Sequence, residues 1–67
     1  MSIHVFINQS PVCLHDAATV AEALQAFGAR PPFAVAVNTQ FVPQSRYAQM
    51  VLHEGDRLEV ISPVTGG

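Results

Sequence analysis

The sequence predicts an α+β domain in which one main helix packs on one face of a mixed sheet of four to five strands. Three observations favour this class. Apolar and polar side chains alternate in Met1–Asn8 and again in Arg57–Ile61, with the period of a half-buried strand. Between these segments, a helix-start signal at Thr19 precedes apolar residues at helical spacing. A helix placed between strands in this way crosses over the sheet that they form.

The first two predicted strands form a hairpin. The first strand, Met1–Asn8, turns one set of side chains inward: Ile3, Val5 and Ile7. Asn8–Pro11 is rich in turn residues, and Val12–His15 predicts a second, short strand. Since Pro11 cannot donate a backbone hydrogen bond, we expect the second strand at an edge of the sheet.

The helix has recognisable signals at both ends. Thr19 is a favourable N-cap, and Glu22 three positions later completes a capping box. One apolar stripe follows at i, i+4 and i+7: Val20, Leu24 and Phe27. Gly28 stands where a C′ glycine ends a helix, and Pro31–Pro32 prevent its continuation.

Three segments follow the helix. Phe33–Asn38 predicts a third strand with Val35 and Val37 inward. Phe41–Pro43 is a short extended piece, and Gln44–Gln49 is an irregular turn or a single helical turn. A ferredoxin-like fold would need a second helix, and this last segment is too short to supply one.

The last part of the chain predicts two further strands. Met50–Leu52 is a brief strand, and His53–Asp56 is a turn. Arg57–Ile61 is the final strand, with Leu58 and Val60 inward. With the first and last strands parallel and adjacent at the centre of the sheet, this order of elements is the ubiquitin-like β-grasp.

Composition restricts the partners and the location. The 67 residues suffice for one domain, which we expect over residues 1–63 with a flexible tail over residues 64–67. The formal net charge is −2 and lysine is absent, so a nucleic-acid partner is not expected. No apolar run approaches the roughly 20 residues that span a membrane. No leader segment is recognisable and the one cysteine is unpaired, so we expect a cytoplasmic protein.

The chain offers little catalytic chemistry. Its histidines are scattered singly and suggest no metal site. The serines have no histidine and aspartate in a suitable pattern, and no cation near Cys13 would activate its thiol. We therefore expect a protein that is not an enzyme and holds no cofactor of its own.

The tail Val64-Thr65-Gly66-Gly67 allows two interpretations. One is a frayed terminus, as most termini are. The other is a working end, because glycines lack the Cβ atoms that would prevent threading through a narrow channel. Four extended residues reach roughly 13 Å. Directly after the last strand of a β-grasp pattern, the second interpretation is favoured, with the carboxylate of Gly67 as the functional group.

Several segments are similar to the ThiS family, the β-grasp sulfur carriers of thiamin biosynthesis. The matching segments are Thr19–Leu24, Ala36–Asn38, Val42–Tyr47, Gly55–Val60 and Gly66–Gly67. Together they extend over the whole chain. Two residues depart from the family pattern, since Gln44 replaces the usual arginine and Tyr47 the usual tryptophan.

The resemblance implies a carrier that partner enzymes modify. A ThiF-like adenylyltransferase would use ATP to join AMP to the carboxylate of Gly67, and a sulfur donor protein would then displace AMP to leave a thiocarboxylate. A ThiG-like thiazole synthase would receive the sulfur, and Val64, Thr65 and Gly66 would thread the active sites of the partners. Two alternatives stay open: a MoaD-like small subunit of molybdopterin synthase or another thiocarboxylate sulfur carrier, and a ubiquitin-like protein modifier.

The alternation also predicts a docking surface on the face of the sheet without the helix. Phe6, Ala36 and Ile61 point outward from three neighbouring strands. Exposed apolar clusters usually mark protein contacts. We expect these three side chains to lie together at the root of the tail and to contact both the adenylyltransferase and the synthase.

Overall fold

The computed structural model describes residues 1–61 and contains a five-stranded mixed sheet with one α-helix. The elements are β1 Ser2–Ile7, β2 Ser10–His15, α1 Val20–Phe27, β3 Ala34–Val37, β4 Gln40–Val42, a 3-10 turn Gln44–Arg46 and β5 Arg57–Ile61. The predicted tail, residues 64–67, and the proposed domain boundary at residue 63 lie outside the described residues.

The strand order β2-β1-β5-β3-β4 places β5 at the centre of the sheet. β1 and β5 are parallel, and the other neighbouring pairs are antiparallel. β2 forms one edge of the sheet, and Pro11 in this strand stands opposite Phe6. Because an edge strand has no neighbour on its outer side, the missing backbone N–H of proline is tolerated there. These observations confirm the predicted β-grasp fold, including the parallel pairing of the first and last strands.

Both predicted ends of the helix are confirmed. Thr19 Oγ1 accepts the Glu22 N–H at 3.3 Å, and Glu22 Oε1 accepts the Thr19 N–H at 3.1 Å, which completes the capping box. Gly28 has φ 81°, and its N–H donates to Leu24 O at 3.0 Å. A residue without Cβ adopts this left-handed conformation at little cost.

The core lies between the helix and the inward faces of the strands. Its fully buried larger side chains are Val5, Ile7, Val20, Val35, Leu52 and Leu58. The predicted helical stripe needs one correction, because Phe27 is 40% exposed while Ala23 and Leu24 are buried. Phe27 is the last residue of an eight-residue helix, so its ring lies at the rim of the core.

The predicted strand at Met50–Leu52 is wrong. This segment makes a single bridge between Val51 and Thr19. Its backbone pairs with the residues that lead into the helix, since the Val20 N–H donates to Met50 O at 3.0 Å. Because the partner chain becomes helical after one bridge, no second rung can form. β4 is the fifth strand instead, at the edge beside β3.

Two tight turns connect β1 to β2 and β3 to β4. Each has two residues with positive φ, 51° and 71° at Asn8 and Gln9, and 50° and 71° at Asn38 and Thr39. Two-residue hairpin loops favour this geometry because it matches the twist of the strands, and asparagine tolerates it well.

Candidate functional site

The central strand β5 leads directly to the segment predicted to carry the function. Leu58 in this strand is fully buried, whereas Ile61 at its end is 60% exposed. Residues 64–67, including the predicted attachment site Gly67 and the threading residues Val64, Thr65 and Gly66, lie outside the described residues. Ile61 is therefore the last described residue before the tail, and we call Val60 and Ile61 the tail root.

The face of the sheet opposite the helix carries exposed apolar side chains. Phe6 is 37% exposed, Phe41 is 70% exposed and Ala36 is half-buried. Phe41 stands directly opposite Ala36 in the β3–β4 pair. Alternation along the strands places Ile61 on this same face. The predicted docking residues thus share one face, and Phe41 joins them.

The strand register separates these residues more than the sequence suggested. Phe6 stands opposite Arg57, and Ala36 stands opposite Glu59. Ile61 pairs with Ala34 and lies four residues beyond Arg57, or roughly 13 Å along the strand. Phe6 and Ile61 are therefore not neighbours as expected, because Glu59 lies between them along β5, whereas Ala36 lies diagonally across from Ile61.

A groove of about 580 Å³ runs over this part of β5. Its lining includes the ring of Phe6 and the side chains of Arg57 and Glu59. The guanidinium of Arg57 lies 5.7 Å from the centroid of the Phe6 ring, within the range of a cation–π contact. Among the described residues no ion pair to a carboxylate involves Arg57. The face thus presents an apolar ring together with charges of both signs.

The tail root is fixed by a side chain that the sequence interpretation did not single out. Asn8 Oδ1 accepts the Val60 N–H at 2.8 Å, and Asn8 Nδ2 donates to Val60 O at 3.1 Å. The two residues lie 52 positions apart, so no local pattern identifies the pair. The one local signal was the position of Asn8 at the start of a turn.

The other polar contacts resemble structural ties more than a reactive site. Histidine–carboxylate pairs join His4 to Glu54 at 3.5 Å and His53 to Asp56 at 3.9 Å.

Within residues 1–61 no three histidine, cysteine, aspartate or glutamate side chains converge on a possible metal position. Cys13 is exposed on the edge strand. In the same part of the chain, no helix is sufficiently long and apolar to cross a membrane.

One further pair, His15 and Glu22, joins the end of β2 to the start of the helix. His15 Nε2 is hydrogen-bonded to Glu22 Oε2, and His15 Nδ1 to Asp16 O at 2.8 Å. The hydrogen bond to Glu22, followed by that to the Asp16 carbonyl, raises the pKa of His15 above its usual 6.5. Reciprocally, the hydrogen bond to His15 and then that to the Thr19 N–H lower the pKa of Glu22 below 4.5. Both side chains are exposed to solvent, so the pair contributes little to stability although it joins two elements.

A capped helix over a mixed sheet, with parallel first and last strands and an apolar outer face, defines a small ubiquitin-like β-grasp protein. The model of the ThiS family matches residues 5–67. The chain belongs to the ThiS family, as the motif resemblance predicted.

A solved structure supports the fold independently. The crystal structure of the thiamine biosynthesis protein ThiS from Geobacter metallireducens superposes with a TM-score of 0.79 at 19% sequence identity. The match covers 97% of this chain and 100% of the other. No curated protein sequence matches the chain significantly.

Proposed function

We propose that this protein is a sulfur carrier of thiamin biosynthesis that carries sulfur as a thiocarboxylate on Gly67. The observation that supports this function most strongly is the match to the ThiS family, which extends over residues 5–67 and so includes Gly66 and Gly67. The fold adds a second argument, since the central strand β5 ends at Ile61, shortly before these glycines.

In the proposed reaction the chain is a cosubstrate. A carboxylate oxygen of Gly67 attacks the α-phosphorus of ATP on a ThiF-like adenylyltransferase, and pyrophosphate leaves. A sulfide equivalent from a sulfur donor protein then attacks the acyl carbon and displaces AMP. The product is a thiocarboxylate, which delivers its sulfur to the substrate of a ThiG-like thiazole synthase, and an oxygen atom from water or from that substrate takes the place of the sulfur and restores the carboxylate.

The described residues support docking in this scheme, and the partners supply the catalytic groups. The proposed contact face includes Phe6 on β1 and Ala36 on β3, which lie on opposite sides of the charged strip of β5, and Ile61 at the tail root. Burial of exposed aromatic and aliphatic side chains favours association, while Arg57 and Glu59 between them can set orientation by charge. Val64, Thr65 and Gly66 would then enter the active site of the partner.

The test is the mass of the intact protein. The mass of the unmodified chain is measured first, to verify that Gly67 carries the terminal carboxylate. Incubation with the adenylyltransferase, ATP and a sulfur donor should then replace one oxygen by sulfur, and peptide mapping should place the change at Gly67. A modification at Cys13 instead would contradict the proposal.

Two controls separate the chemistry from the fold. Deletion of Gly67, or addition of one residue after it, should leave the circular dichroism spectrum unchanged and abolish sulfur incorporation. Addition of the thiazole synthase and its other substrates should consume the thiocarboxylate. Consumption only by a molybdopterin synthase large subunit would favour the MoaD-like alternative, and an isopeptide bond to another protein would indicate a modifier.

A further inference from the structure

The parallel ladder between β1 and β5 ends before β5 does. The Phe6 N–H donates to Asp56 O at 2.9 Å, and the Asn8 N–H donates to Leu58 O at 2.9 Å. The last residue pair of the ladder is Ile7 with Leu58. β5 continues to Ile61, so the backbone of Val60 extends past the end of its parallel neighbour.

The side chain of Asn8 occupies the place where the next β1 residue would stand. The chain turns at Asn8, where φ is 51°, so the main chain leaves the ladder. The side-chain amide bonds both backbone groups of Val60, accepting its N–H at 2.8 Å and donating to its C=O at 3.1 Å. An amide side chain has the same donor and acceptor as a peptide unit, so it can extend a ladder by one residue.

The Asn8 amide satisfies both backbone groups of Val60, because the N–H and C=O of one strand residue point to the same side. On the other side β3 flanks Val60, with Val35 opposite Val60 and Ala34 opposite Ile61. The side chain of Val60 also packs against the core. The two hydrogen bonds from Asn8 lie one residue before the end of β5.

We propose that Asn8 is a positioning residue that fixes the tail root at Val60, so that the tail bearing Gly67 starts from one fixed point and direction when it enters a partner enzyme. This inference rests on the proposed function. Six residues separate Ile61 from the end of the printed sequence, and a fully extended segment of that length spans roughly 20 Å. Threading a partner's active site would require the tail to be extended, and in that bound form a change of direction at the root would move its end by more than reaction geometry tolerates.

The second turn supplies a matched control. Asn38 has nearly the same φ, 50°, and its Oδ1 accepts the Arg57 N–H at 3.0 Å. It thus also bonds the backbone of β5, but at the start of the strand and away from the tail root. Loss of the Asn38 amide should disturb β5 without changing the direction of the tail.

The experiment compares Asn8→Gly with Asn38→Gly. Glycine retains the positive φ at both positions and removes only the amide, so each turn keeps its conformation. The first readout is amide hydrogen exchange followed by NMR. Asn8→Gly should lose the protection of the Val60 N–H, and Asn38→Gly should lose that of the Arg57 N–H.

The second readout separates binding from presentation of the tail. Adenylation is followed by ATP–pyrophosphate exchange, at a temperature where circular dichroism shows both variants folded. Asn8→Gly should lower kcat about tenfold. Freeing the backbone of roughly one residue should reduce the fraction of bound carriers whose tail has the reactive orientation by that factor. KM for the carrier should stay within twofold of wild type, since the apolar docking side chains Phe6, Ala36 and Ile61 are retained, and Asn38→Gly should match wild type in both constants.

Equal kcat losses in the two variants, or a loss confined to KM, would overturn the inference. If Asn8→Gly does not fold, Asn8→Asp replaces it, because aspartate tolerates the positive φ and retains the acceptor for the Val60 N–H. In that variant the Val60 N–H keeps its acceptor while a carboxylate oxygen faces Val60 O in place of the donor, so kcat should fall below wild type, and an unchanged kcat would overturn the inference. A wild-type protein that is not adenylated would contradict the proposed function, and exchange at Val60 would still decide whether Asn8 fixes the tail root.

Discussion

The two hairpin turns have almost the same backbone and different positions relative to the tail. Both consist of two residues, both begin with asparagine, and their φ angles agree within 1°. Both asparagine amides bond the backbone of β5, although Asn38 bonds its first residue and Asn8 bonds Val60. The same side-chain amide therefore bonds the first residue of β5 in the case of Asn38, and bonds the residue before its end in the case of Asn8.

The surroundings of the two amides reinforce this difference. Asn38 Nδ2 donates to Asp56 Oδ1 at 3.0 Å, and Asp56 Oδ2 accepts the His53 N–H at 2.8 Å. The Asn38 amide thus belongs to a network that shapes the turn before β5. Both bonds of the Asn8 amide go to one residue, Val60. We conclude that the position of a turn along β5 decides what its asparagine does.

The largest expected effect on stability comes from the centre of β5, between the residues that the two asparagine amides bond. Leu58→Ala should lower the free energy of unfolding by about 2–5 kcal/mol, because Leu58 is fully buried. Ile61→Asp, three residues on, should cost at most about 0.5 kcal/mol and should weaken binding to both partner enzymes. Urea unfolding and titration calorimetry measure the two effects. If Ile61→Asp unfolds the domain, or binds both partners with wild-type affinity, the assignment of Ile61 to the docking face is wrong.

A smaller effect tests whether the two turns carry equal strain. Gln9 and Thr39 both have φ 71°, a conformation that a β-branched side chain resists more strongly. Thr39→Gly should therefore raise the free energy of unfolding by about 1 kcal/mol, and Gln9→Gly by about 0.5 kcal/mol. Thermal unfolding of the two variants gives the order directly. A larger increase in the free energy of unfolding for Gln9→Gly would contradict the view that the β-branched side chain is the main source of strain.

The smallest effect concerns a tie that touches neither turn, the pair His15 and Glu22. The raised pKa of His15 adds stability that is complete below pH 6.5 and is lost as the pH rises through that raised value. The lowered pKa of Glu22 adds stability that is complete above pH 4.5 and is lost as the pH falls through that lowered value. The contribution of the pair should consequently be greatest between pH 4.5 and 6.5.

Glu22→Gln checks this tie by NMR titration of the His15 ring. The pKa of His15 should fall towards 6.5, because glutamine keeps the capping acceptor and removes the charge. Asp16→Asn is the control and should move the pKa less, since His15 bonds the backbone carbonyl of Asp16. Transfer of sulfur should be unchanged in Glu22→Gln, in contrast to Asn8→Gly. An unchanged pKa in Glu22→Gln would contradict the pairing.

The fold was predictable where its signals are local. The capping box at Thr19, the glycine at position 28 and the edge position of Pro11 each depend on residues close in sequence. The strand predicted at Met50–Leu52 failed because its pairing partner is the start of the helix, which the apolar pattern does not reveal. The exposure of Phe27 follows from its place as the last residue of the helix, at the rim of the core, which the apolar stripe alone does not reveal.

The candidate site was less accessible to sequence reasoning. Alternation identified the outer face of Phe6 and Ile61, because it depends only on the strand period. Their separation depends on the register of β5 between β1 and β3, which no single segment specifies. The bonds from Asn8 to Val60 join residues 52 positions apart, and a turn signal alone could not have suggested them.

The central position of β5 has a consequence for the order of folding. β1 and β3 both pair with this strand, yet β5 follows them in the chain, so the sheet closes through contacts of long sequence separation. Such contacts form slowly because a long loop must close first. Until β5 inserts, β1 and β3 each have an unpaired edge and Val60 has no partner. A partly folded chain therefore has no fixed tail root, and under the proposed function only completely folded carriers would be efficient substrates for adenylation.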